Sequence, residues 1–246
     1  MSEFMIETVA LRKEFGDLVA VHDLDLRIAP GEFFGFLGPN GSGKTTTIKL
    51  LTGLLRPTRG TARVGGFDIQ RQHVEAKRLI GYVPDTPYLY EKLSAREFLR
   101  FVGDLYELPE APMHRRIGEL LEIFDLADYA DRLIEDYSHG MRQKVVMSAC
   151  LLHQPMAIII DEPMVGLDPQ SCHLVKRILR EQCRRGAAVF MSTHTLSLAE
   201  DVCDRVGIIR KGKLIAVGTV AELKARYATE GDLEDLFLSL TGQDEK

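Results

Sequence analysis

The sequence predicts an α/β fold with an antiparallel β segment at its start and an α-helical block inserted further along. Three observations point there. Two short apolar runs, Phe33–Leu37 and residues 157–160, have the aromatic or β-branched character of strands buried on both faces. The first run leads through a glycine-rich turn, residues 38–45, directly into a helix-forming stretch. Residues 94–152 then show helical spacing over a detour far longer than a strand-to-strand crossover needs.

Bulk properties narrow the field. The chain has 246 residues, room for one large domain or two small ones. Its formal net charge of −5 argues against a dedicated nucleic-acid binder, which needs a concentrated basic surface. Cys150, Cys172, Cys183 and Cys203 form no C-x-x-C pair, so free thiols in a reducing cytosol are expected and a metal cluster is not. The first residues lack the basic and apolar regions of a signal peptide, and no apolar run reaches bilayer length. If the protein works at a membrane, another chain holds it there.

Taken in order, residues 6–28 read as strands. Residues 24–28 alternate apolar and charged side chains, as a half-buried antiparallel strand does. Phe15 has two readings: a loop aromatic folded onto the core, or a stacking platform for a purine ring. The helix after the glycine-rich turn is expected to run to about Leu55, before Pro57 and Gly60. Residues 60–69 form a glycine-punctuated β segment, and Ile80–Val83 a buried strand that breaks at Pro84-Asp85-Thr86-Pro87.

Ser94 with Glu97 forms a capping box, which starts a helix to about Leu105. Tyr88, Leu89, Tyr90 and Leu93 make a dense patch that packs inward or awaits a partner. Residues 107–112 break the helix, and Ile117, Leu120, Leu121 and Phe124 share one face of the next. Ser138 is a good N-cap for a helix to His153. Asp168 followed by Pro169 opens another helix. A strand over 187–191 precedes Ser192-Thr193-His194. Residues 205–217 read as a hairpin turning at Lys211-Gly212, and Leu233, Leu236, Phe237 and Leu240 share a face of a C-terminal helix.

The chemistry gathers at strand ends. A strand, a glycine-rich turn of the form G-x-x-x-x-G-K-T and a helix together make a phosphate cradle. Glycines let successive N–H groups point at an anion, and the helix N-terminus adds partial positive charge. Lys44 is placed to neutralise β and γ phosphates and Thr45 to put a hydroxyl on Mg²⁺. The strand 157–160 ends in Asp161 and Glu162, at the sheet edge where α/β proteins bind ligands. Asp161 suits Mg²⁺, and Glu162 suits a base that orients and deprotonates water. His194 falls at the same edge, within reach of a γ-phosphate.

Together these residues resemble the ATP-binding subunit of an ABC transporter, over nearly the whole chain. Residues 38–45 match Walker A, residues 158–162 Walker B, residues 166–168 the D-loop, His194 the switch histidine and Phe15 the A-loop. Residues 137–141 match the signature, usually L-S-G-G-Q, with Tyr137, His139 and Met141 as departures and Ser138 and Gly140 intact. Asp85 stands where the Q-loop usually has Gln. Both departures resemble the single-domain subunits that serve ABC-2-type membrane proteins, mostly bacterial exporters.

The resemblance implies a P-loop NTPase (RecA-like) core with an N-terminal antiparallel β subdomain and an inserted α-helical subdomain. It divides the chain into core and β subdomain (1–84 and 156–217), helical signature subdomain (85–155) and helical tail (218–246). It implies ATP and Mg²⁺ as cofactors, held by Phe15, Gly38, Asn40, Gly41, Gly43, Lys44, Thr45 and Thr46, with Ser138 and Gly140 reaching the γ-phosphate of a second ATPase subunit. Asp85 joins Thr45 and Asp161 as a metal residue. Lys44, Glu162 and His194 are the expected catalytic residues. The expected partner is a membrane-spanning permease, and the expected place is the cytoplasmic face of a bacterial membrane. The competing function is a soluble ABC-type ATPase in iron–sulfur assembly or repair.

Overall fold

The structure, a computed structural model, describes residues 3–164, 166–227 and 237. The first part of the chain gives β1 (Ile6–Phe15), β2 (Leu18–Ile28), β3 (Phe33–Leu37), α1 (Lys44–Leu51), β4 (Arg59–Val64), β5 (Phe67–Asp68), α2 (His73–Arg78) and β6 (Ile80–Val83). The helical block follows, with α3 (Ala95–Leu105), α4 (Glu110–Ile123) and α5 (His139–Leu152). The chain then returns to the sheet through β7 (Ala157–Asp161), α6 (Pro169–Arg184), β8 (Ala188–Thr193), α7 (Leu196–Val202), β9 (Arg205–Arg210), β10 (Lys213–Gly218) and α8 (Val220–Arg226).

Among the described residues the strands form two sheets. One is antiparallel, in the order β2-β1-β4-β5. The other runs β10-β9-β3-β8-β7-β6 and is parallel except for β10. β3 and β7 are buried at every residue, as their apolar sequences require. Successive side chains point to opposite faces, so the parallel sheet feeds two cores. Phe33, Ile158, Ile160, Val189 and Met191 face the helical block. Phe34, Phe36, Ile159 and Phe190 face α1 and the antiparallel sheet, with the Phe36 and Phe190 rings 5.1 Å apart. Burying each of these phenylalanines contributes roughly 1.5–3 kcal/mol.

The N-terminal alternation is borne out: Leu24, Leu26 and Ile28 are buried while Asp25 and Arg27 are exposed. Ser94 caps α3 as expected, accepting from the Glu97 N–H while Glu97 accepts from the Ser94 N–H. Two boundaries need correction. α1 ends at Leu51, well short of Leu55, because the Thr52 hydroxyl bonds back to Ile48 O and Gly53 turns left-handed at φ 70°. α4 begins at Glu110, inside the stretch 107–112 expected to be a break, since Pro112 lies in the first turn, where its missing N–H has no partner to lose. α2 has too short an apolar repeat to be read from sequence. Phe237 packs on the small cluster of Leu37, Val206 and Ile208. Leu233, Leu236 and Leu240 lie outside the described residues.

Candidate functional site

The parallel register decides what meets what. Leu37 pairs with Thr193, and Ser192 with Asp161, so the C-terminal edges of β3, β8 and β7 lie level. The turn after β3, the carboxylates after β7 and the histidine after β8 therefore converge at one edge, although they are up to about 150 residues apart in sequence.

The turn itself is tightly packed. A side chain at Gly43 would place a Cβ 2.5 Å from Ala20 O, and its backbone is left-handed at φ 108°. A Cβ at Gly38 would lie 2.5 Å from Ile209 O. Only glycine permits both approaches. Ser42 Oγ is buried with no hydrogen-bond partner, and its carbonyl accepts from Gly212 N–H at 2.8 Å. Lys44 is buried and donates to Gly38 O at 2.7 Å and Pro39 O at 3.2 Å. Burial lowers the Lys44 pKa, against the opposing pull of Glu162 and Asp161.

The acids are held from two sides. Thr45 Oγ1 donates to Asp161 Oδ2 at 2.9 Å, and Ser192 Oγ donates to Asp161 Oδ1. Glu162 has left-handed backbone at φ 49°, a conformation that costs a non-glycine residue on the order of 1–2 kcal/mol. Its N–H donates to Ser192 O at 3.2 Å, which fixes that turn. The strained backbone carries the Glu162 carboxylate to His194, with Nδ1 2.8 Å from Oε1. Sequence reasoning missed Ser192 as the partner of Asp161; its place two residues before His194, on the same strand end, was the available signal.

A cleft of about 810 Å³ opens over this edge. Phe15, Asn40, Gly41, Gly43, Lys44, Thr45, Thr46, Asp85, Asp161 and Glu162 all line it. Phe15 is 49 % exposed at the end of β1, which overturns the reading of it as a core aromatic. Lys211 and Gly212 also line the cleft, brought there because Gly212 bonds both Ser42 and His22. As a hairpin turn they gave no sequence signal of this. Asp85 is exposed and accepts from the Thr86 N–H at 2.8 Å. Beside it, burial pushes the Tyr82 phenol up to about 12, with Asp161 and Asp85 adding to the effect.

The residues fit a magnesium-bound nucleotide. Mg²⁺ ordinarily takes one or two carboxylates and completes its shell with phosphate oxygens and water, so Thr45 with Asp161 is a sufficient protein donor set. The unpartnered Ser42 hydroxyl and the glycine-lined cradle suit an anion. Ser138 and Gly140 do not reach this cleft. Ser138 caps α5, accepting from Met141 N–H at 3.3 Å, and is exposed. Gly140 lies beside Gly166, and His139 packs so close to Gly166 that only glycine fits there.

Comparison with known proteins agrees with this geometry. The family model for the ABC transporter matches residues 21–165. The chain is 38 % identical over 243 residues to the daunorubicin resistance ATP-binding protein DrrA3 of Streptomyces coeruleorubidus, covering 99 % of this chain and 76 % of that one. It is 38 % identical over 213 residues to the Nod factor export ATP-binding protein I of Cupriavidus metallidurans, covering 87 % and 70 %. A solved structure of an ATP-binding subunit of an ABC transporter superposes with a TM-score of 0.92 at 34 % identity, over 96 % of this chain and 99 % of the other.

Proposed function

Because the chain belongs to the ABC transporter family as one of its ATP-binding subunits, we propose that it hydrolyses ATP to power export through a membrane-spanning permease. One observation carries the reading: Thr45, Asp161, Glu162 and His194 form one hydrogen-bonded edge over the Lys44 cradle. Relatives named for drug resistance and export favour this over a soluble ATPase of assembly or repair. On this reading the permease supplies the membrane path and this subunit docks on its cytoplasmic side; among the described residues no helix of this chain is long and apolar enough to cross a membrane.

The roles follow from the geometry. Phe15 stacks on the base. Lys44 exchanges its loop carbonyls for phosphate oxygens, and N–H groups of residues 40–46 surround the phosphates. Thr45 and Asp161 would hold Mg²⁺, with Asp85 lining the same cleft, and the ion would supply charge neutralisation to the phosphates. Glu162 takes a proton from the attacking water while His194 fixes the carboxylate's orientation. Ser138 and Gly140 act on the site of a second subunit, a role supported by their absence from the lining of their own cleft and by the exposure of Ser138. The same reading keeps the division into core and β subdomain (1–84, 156–217), helical subdomain (85–155) and tail (218–246).

Glu162→Gln tests this directly. It removes the base but keeps the side chain's shape and its contact with His194. Hydrolysis is expected to fall at least about 100-fold, within the range for loss of a positioned acid or base. Gel filtration with MgATP is expected to show a dimer that persists, and mainly monomer without nucleotide. Parent-rate turnover in the purified variant removes Glu162 from the role of base.

A further inference from the structure

A second cleft, of about 350 Å³, lies on the far side of the helical block, between α4, the end of α5 and the end of α6. Its floor is apolar: Leu120 and Leu151 are buried, and Ile178 packs on the same core. Four arginines stand around it, Arg116, Arg177, Arg184 and Arg185, against one lining carboxylate, Glu181. Glu181 is shared by Arg184 at 3.5 Å and Arg185 at 3.1 Å, and Arg116 pairs with Glu119 at 3.0 Å. Arg177 has no ion pair among the described residues. Arg116 Nε is sealed from solvent with no acceptor. An apolar floor under four guanidinium groups, one of them without an ion pair and two sharing a single carboxylate, is complementary to a ligand with a hydrocarbon body and an anionic head. The volume sits near the lower end of the ~300–1,000 Å³ typical of small-ligand pockets.

We propose that this cleft is a binding site for a single-chain amphiphilic carboxylate, a fatty acid of about ten carbons, with the head on Arg177 and Arg184 and the chain over Leu120 and Leu151. Its place in the fold gives such a ligand leverage. α5 and α6 begin side by side, at Ser138 and Asp168, where His139 packs on Gly166. They end side by side at this cleft. A ligand here bridges the helical block to the sheet core at the opposite ends of the two helices that present the subunit-facing loops.

The chain has no tryptophan, so Ile123→Trp at the 41 % exposed cleft rim gives a single reporter on the full-length protein. Decanoate, well below its micelle concentration, is expected to change that emission saturably with one site per chain. Decyltrimethylammonium is expected to give no saturable change, and butyrate at least tenfold weaker binding. Adding Arg177→Glu and Arg184→Glu is expected to weaken decanoate at least tenfold while the melting temperature and the affinity for MgATP, read with a fluorescent ATP analogue, hold. Equal response to the cationic and anionic chains, or decanoate binding unmoved by the charge reversals, overturns the proposal. Tighter binding of a leucine-containing acidic peptide than of decanoate also overturns it and makes the cleft a protein-docking face.

Discussion

His153 shows how one side chain ties stability to pH. It caps the end of α5, stacks on Tyr106 with ring centroids 3.8 Å apart, and its Nε2 lies 3.0 Å from Ile80 O. Burial pushes its imidazole down to about 4, although the Ile80 carbonyl works the other way. An unfolded histidine takes up its proton as pH falls through about 6.5, while the folded one stays neutral until about 4. The unfolded state therefore binds more protons in that window, and stability falls as pH drops through it. The contribution is fully present above about pH 6.5 and amounts to roughly 3 kcal/mol at most. His153→Phe keeps the stack and removes the titration. Melting temperatures at pH 7.5 and 5.0 are expected to differ less in the variant than in the parent; an equal difference assigns the acid sensitivity elsewhere. At the same scale, Asp161 and Glu162 are neighbours in sequence with opposite surroundings. Asp161 is locked by two hydroxyls, while Glu162 sits on strained backbone facing a histidine. On the proposed function, Asp161 is the metal-holding carboxylate and Glu162 the one that orients and deprotonates water.

At the scale of an element, α3 depends on its first turn. Ser94 and Glu97 satisfy one another's backbone N–H groups at 3.2 Å and 2.8 Å, and the helix then presents Phe98 and Leu99 to the core. Ser94→Ala is expected to lower stability by about 1 kcal/mol and Ser94→Gly by a few tenths, read as the urea midpoint at constant slope. The reverse order removes the cap as the cause. The capping box was legible because its partners are three residues apart. The end of α1 was not legible, because Thr52 and Gly53 stop the helix before either proline or distant glycine is reached.

At the scale of the molecule, the segment after Asp85 resolves into two halves. Leu89 and Leu93 pack against the helical core, while Tyr88 is 80 % and Tyr90 60 % exposed. Tyr90 lies edge-on to Phe101 at 5.4 Å, so an aromatic shelf stands open on the helical block. On the proposed function this shelf receives the permease, with aromatic anchors supplying contact area. Tyr88→Ala is expected to lose co-purification with the permease while melting temperature and basal turnover hold. Tyr90→Ala is expected to lose it too, with up to about 1.5 kcal/mol of stability from the broken ring pair. Retained co-purification in both places the permease contact elsewhere.

The elements and the candidate reacting groups are legible locally in the chain. Fully apolar strands, a glycine-rich turn that forbids side chains, and acids or a histidine placed just past strand ends are local patterns, readable without contacts. From them the cradle at Lys44, the acids Asp161 and Glu162, and His194 followed. Pairing across long separations is visible only in the folded chain. Strand order set Ser192 against Asp161 and the Lys211-Gly212 turn against the glycine-rich loop, because register depends on which strands lie adjacent. Burial settled Phe15, Tyr88 and Leu89, since an isolated aromatic or aliphatic residue in a loop carries no periodicity that says which way it faces. The arginine cleft belongs to the same class: its charges come from α4 and the end of α6, which are far apart in sequence and line one cleft only in the folded chain.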